Sequence, residues 1–123
     1  MVASKKATFD DDLVSAIVRG IDEKKGKNTA VIDLREIQNS ICDYYVVCHG
    51  TSNTNVDAIA ESIIDVVREE QGEKPRNVEG KREAQWIVVD FFNVMVHVFQ
   101  EEYREHYAIE ELWADAEIEF LEE

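Results

Sequence analysis

The stretch QWIVVDFFNVMVHVFQ, residues 85–100, is apolar at almost every position, so neither of its faces reads as wet. Its wealth of β-branched and aromatic residues predicts a hairpin, with strands over 85–90 and 93–99. If Phe91 and Phe92 make the turn, Asp90 faces Asn93, Val89 meets Val94 and Ile87 meets Val96. On the opposite face Val88 meets Met95 and Trp86 meets His97. A tight hairpin turn prefers residues that accept positive φ, and Phe91-Phe92 offers none. The reading is therefore a wider loop with Asn93 in the left-handed position. A slip of one residue would exchange the two faces.

One face of this hairpin is purely β-branched and aliphatic, which suits a cover of helices. The other carries Trp86, Val88, Met95, His97 and Phe99, with Asp90 at the rim. A tryptophan and a methionine edged by polar groups have the composition of a protein interface. A C-terminal helix bearing Tyr103, Tyr107, Leu112 and Trp113 is the competing cover for it. The composition favours a partner surface, with Trp86 at its centre.

Outward from the hairpin, Phe9, Leu13, Ile17 and Ile21 recur at helical spacing, widened by Val14 and Ala16. Thr8 is a candidate cap, Asp10 to Asp12 suit the helix N-terminus, and Lys24, Lys25 and Gly26 mark its end. A strand is predicted over 28–34 and another over 43–50. Between 50 and 53, GTSN opens a second helix with Val56, Ile59, Ala60, Ile63 and Val67 on one face, stopped by Gly72 and Pro75. A short strand over 76–80 precedes the hairpin, and 101–113 reads as one or two short helices. The order implies an α/β fold: a mixed five-stranded sheet with helices mainly on one face. Residues 1–113 are expected to form one domain and 114–123 an acidic tail.

The chain has 123 residues, of which 27 are acidic and 13 basic, for a net charge of −14. Such a surface repels nucleic-acid phosphates and anionic lipid and draws a basic partner. No run reaches the length of apolar sequence that a membrane span needs. No DNA partner and no membrane are expected, and the setting is read as cytoplasmic. Cys42 and Cys48, six apart in an apolar strand-like run, lie too far apart to pair and read as small hydrophobes.

Catalytic motifs are weak. HGTSNTN (49–55) lacks the lysine of a phosphate-binding loop and the glycines of a dinucleotide fingerprint, and Thr51 and Ser52 read as helix caps. Nucleotidyl transfer needs carboxylates converging on metal ions, whereas Asp57 and Asp90 each stand alone. His49, His97 and His106 have no zinc-ligand spacing, and adjacent Cys48 and His49 point to opposite sides of a strand. No enzyme activity, cofactor or metal is expected.

Taken together, DYYVVCHGTSNTNVDAIA (43–60), VEG (78–80), WIVVDFFNVMVHVFQEEYREHY (86–107) and LW (112–113) resemble the ribosomal silencing factor family, also known as the Iojap family. The resemblance spans roughly residues 9–113 and implies a nucleotidyltransferase-like α/β fold without the catalytic carboxylates. It implies a translational repressor that binds the large ribosomal subunit through ribosomal protein number fourteen (L-fourteen) and sterically blocks joining with the small subunit. Mitochondrial relatives of the family imply the alternative of a large-subunit assembly factor, and a small nucleotidyltransferase-like enzyme using the GTSN turn is the reading from another class. The resemblance also implies a homodimer in the free state and a contact surface that includes Trp86, extended here to Val88, Asp90, Met95 and His97. Phe92 stands where the family usually has glycine.

Overall fold

The computed structural model describes residues 12–113 and 115–121. Helix α1 spans Asp12–Glu23, β1 Lys27–Asp33, β2 Tyr44–Gly50, α2 Asn53–Gln71 and β3 Asn77–Glu79. The hairpin follows as β4, Trp86–Asp90, and β5, Val94–Gln100, then α3, Glu101–Tyr107, a 3-10 turn over Ile109–Trp113 and β6, Glu117–Phe120. The expected contributions of Thr8, Phe9, Asp10 and Asp11 lie outside the described residues.

The sheet has six strands rather than five, in the order β3-β4-β5-β2-β1-β6. The sixth comes from the stretch read as an acidic tail, where Ile118 faces Ile32 and Phe120 faces Ala30 across an antiparallel pair. The pairing of β2 with β5 is parallel, and the others are antiparallel. The sheet is mixed, as expected.

Both long helices pack on one side of it. The predicted stripe of α2, namely Val56, Ile59, Ala60, Ile63 and Val67, is fully buried, and so are Ile17 and Ile21 of α1. They meet the aliphatic side of the sheet, Val46, Ile87, Val89, Val94, Val96 and Val98, in one core. The two helices touch most closely at Gly20, where any side chain would begin 2.7 Å from the Ile63 backbone. There the Ser62 hydroxyl donates to the Gly20 carbonyl at 2.8 Å. The helix ends follow their signals. Ser52 accepts from the Asn55 N–H, a cap worth about 1 kcal/mol, and Gly72 closes α2 at φ 69°. At the end of α1 it is Lys25, not Gly26, that turns left-handed, with φ 60°.

The hairpin register differs from the expected one. Val89 pairs with Val96, Ile87 with Val98, Val88 with His97 and Trp86 with Phe99. Each partner on β5 lies two residues beyond the expected one, so the faces are preserved. The cause is Phe91, which is buried in the helix-side core and whose N–H donates to the Val94 carbonyl at 2.9 Å. With that ring committed to the core, the chain turns later. The left-handed position then falls on Phe92, φ 78°, and not on Asn93.

Candidate functional site: the aromatic side of the sheet

Alternation along β4 and β5 sends Trp86, Val88 and Asp90, and Met95, His97 and Phe99, to the side away from α1 and α2. The parallel β2–β5 pairing adds Tyr45, opposite Met95, and Val47, opposite His97. The structure therefore brings all five expected site residues to one face. It adds Tyr45 from β2 and Ile41 from the preceding loop, which the sequence reading did not include.

The face is divided. Its Phe99 end is covered by the C-terminal segment, as the competing reading had it. Trp86 stacks on Phe99 at 4.9 Å between ring centroids and meets Tyr107 of α3 at 4.8 Å. Trp113 packs edge-on against Tyr45 at 5.7 Å. Trp86 thus lies half-buried at the border of the cover, not at the centre of an open patch. Beyond it, Ile41, Tyr45, Asn77, Glu79, Val88, Asp90, Met95 and His97 line an open cleft of about 290 Å³.

His97 forms the floor of this cleft. Its Nδ1 accepts from Trp86 Nε1–H at 3.0 Å, which places the ring proton on Nε2 of a neutral imidazole. Burial depresses the imidazole to about 4, against the opposing pull of Glu110, so the ring stays neutral at physiological pH. Nε2 is buried and makes no hydrogen bond. A buried donor without a partner costs about 1–3 kcal/mol.

At the end of the cleft, Asp90 is held by three donors. Arg76 donates from Nε at 3.2 Å and from an Nη at 2.9 Å, and the Phe92 N–H donates at 2.8 Å. Burial alone would push this carboxyl up, but the Phe92 N–H and Arg76 outweigh it and hold it below the usual carboxylate range.

A polar cluster pins the C-terminal cover. Arg104 of α3 is 8% exposed; it donates to Glu110 Oε2 at 2.9 and 2.7 Å and stands 3.0 Å from His49 Nδ1. Arginine only donates, so His49 Nδ1 accepts. Nothing in the spacing of these residues announces the cluster, because the fold assembles it from β2, α3 and the 3-10 turn.

The remaining chemical candidates are committed elsewhere. Asp57 pairs with Lys81 at 3.5 Å and Asp90 with Arg76, so the two carboxylates do not converge. In the GTSN turn, the Thr51 N–H and the Ser52 hydroxyl are both bonded to Asn55. Cys42, just before β2, and Cys48 are free thiols pushed up by burial to about 11 and about 12. Among the described residues no group of three His, Cys, Asp or Glu side chains is placed to hold a metal ion. None of their helices is long and apolar enough to cross a membrane.

One sealed helical side and one half-covered aromatic side define a small mixed α/β domain. Its family follows from comparison with known proteins. The chain belongs to the family described as ribosomal silencing factor during starvation, whose pattern matches residues 6–123. It is 35% identical over 107 residues to the ribosomal silencing factor of Halalkalibacterium halodurans, covering 87% of this chain and 90% of that one. The Bacillus subtilis ribosomal silencing factor is 39% identical over 95 residues, covering 77% of this chain and 79% of its own. A more distant relative, 27% identical over 109 residues, is the mouse protein named mitochondrial assembly of ribosomal large subunit protein 1; the match covers 87% of this chain and 46% of the mouse protein. Among solved structures, one from Bacillus halodurans superposes with a TM-score of 0.75 at 31% identity, covering 91% of this chain and 98% of that one.

Proposed function

We infer that the chain represses translation by binding the large ribosomal subunit through the aromatic cleft, at ribosomal protein number fourteen (L-fourteen). Standing there, it blocks joining with the small subunit by occupancy alone. The observation that carries this reading is the cleft itself: half-exposed Tyr45, Val88 and Met95 over a buried His97 whose Nε2–H lacks a partner. A net charge of −14 supports a basic partner surface, which the chain would approach faster at low salt. The reaction needs no bond chemistry. In the free state, two copies of the chain pair as a homodimer.

A second reading, assembly of the large subunit from the same site, is favoured by the name of the mouse relative. Gradient co-sedimentation tests the first. The chain is expected with free large subunits and absent from joined ribosomes, and equal association with both would overturn the steric mechanism. Met95→Arg, which sets a cation in the cleft, is expected to reduce large-subunit binding at least tenfold. Unchanged binding by that variant would remove the cleft from the interface.

A further inference from the structure

Phe92 poses a physical problem. It stands at φ 78°, and its side chain is 62% exposed. A left-handed backbone strains a bulky residue, and the position suits glycine or asparagine. A ring this exposed recovers little from burial. The Arg76 guanidinium lies over the ring, 4.8 Å from its centroid. An exposed cation–π pair is weak and does not by itself explain a strained aromatic here.

The hairpin nonetheless fixes this residue from several directions. The Phe91 ring is buried beside it, the Asp90 carboxylate accepts the Phe92 N–H at 2.8 Å, and Arg76 bridges Asp90 and the ring. The exposed aromatic is therefore preorganised rather than loose. It also stands at the cleft end of the sheet. Asp90, which binds its N–H, lines the cleft, and so does Ile41, 75% exposed. The two loops that carry Ile41 and Phe92 are tied together, since the Asp43 and Tyr44 N–H groups both donate to the Asn93 carbonyl at 2.8 and 3.3 Å. The Asp43 carboxylate stands exposed beside this end, and that of Glu79, opposite Val88, stands exposed along the cleft.

We propose that Phe92, at the hairpin tip, extends the cleft past its Ile41 edge with a further contact point, which grips a basic protein segment presenting an apolar side chain between its lysines or arginines. The apolar side chain packs on Phe92 and Ile41, while the cations meet Asp43 and Glu79. Arg76 stays neutralised by Asp90 and so does not repel them. This rests on the reading of the cleft as the ribosome-binding face and adds the tip of the hairpin to it.

Phe92→Gly separates the ring from the strain. Purified large ribosomal subunits serve as the probe, with affinity measured at fixed salt and melting temperature measured on the free variant. The expected result is an unchanged or raised melting temperature with affinity about tenfold weaker. Ile41→Ser should weaken binding in the same sense without lowering the melting point. If Phe92→Gly and Ile41→Ser bind as tightly as the unmodified chain while Met95→Arg does not, the contact point is refuted and the cleft stands. If Met95→Arg also binds normally, the cleft reading fails, and the contact point with it.

Discussion

The two sides of one sheet are made by the same strands and do opposite things. On the helix side, Val46, Ile87, Val89, Val94, Val96 and Val98 are all fully buried and carry no polar side-chain atoms. On the other side, the alternate residues Trp86, Val88 and Met95 are only half-buried, and the buried His97 leaves a donor unmade. An aliphatic layer satisfies itself by packing. An aromatic layer with N–H groups must find acceptors; the Trp86 indole finds His97, and His97 Nε2 finds none. The pleat thus separates a sealed side from a half-open one along a single pair of strands.

The contrast breaks most sharply in the core. Ile87→Ala, on the helix side, is expected to cost about 4 kcal/mol in denaturant melts, because α1 and α2 cannot collapse into the space. A loss below about 1 kcal/mol would mean that this side is not sealed. Arg104→Ala tests the cover of the aromatic side. It leaves the partly buried Glu110 carboxylate without its cation and should cost about 3 kcal/mol. Loosening of α3 should also shift Trp86 fluorescence towards that of a solvated indole, and an unchanged spectrum would show that Arg104 does not hold the cover in place.

A smaller effect comes from pH. The His97 imidazole titrates at about 4 in the fold and near its ordinary 6.5 when unfolded. Between those values the unfolded chain takes up a proton that the folded chain refuses. Stability is therefore fully present above about pH 6.5 and falls as the pH drops towards 4, by roughly 2–3 kcal/mol. Asp33 and Asp90, both held below the usual carboxylate range, add losses of the same sign at still lower pH. Melts between pH 7.5 and 4.5 check this, and His97→Phe should flatten the upper part of the curve. An equal slope in that variant would assign the effect to other groups.

The helices and the division of the sheet into two faces were legible because they depend on local periodicity, and the two-residue slip of the hairpin left that periodicity intact. The register itself was not legible. It depends on whether Phe91 finds a place in a core built by residues far away in the chain. Tyr45 escaped notice because the parallel β2–β5 pairing, which sets it opposite Met95, leaves no mark in either segment, and Ile41 because it reaches the cleft from the loop before β2. Arg104 reads as one more exposed charge on a short helix, and only His49 and Glu110 in space make it a pin. The strand 117–120 was hidden by its glutamates, since alternation that short and that acidic is also what a solvated tail looks like.

That last strand bears on how the protein survives in a crowded solution. Any open sheet has two borders where unpaired backbone groups invite another sheet to add on. Here the borders are β3 and β6, strands of three and four residues that carry Glu79 on one side and Glu117 and Glu119 on the other. Both are too short to template a stranger, and both bear the charge that a second copy would also bring. The long apolar strands lie between them, out of reach of edge-to-edge aggregation.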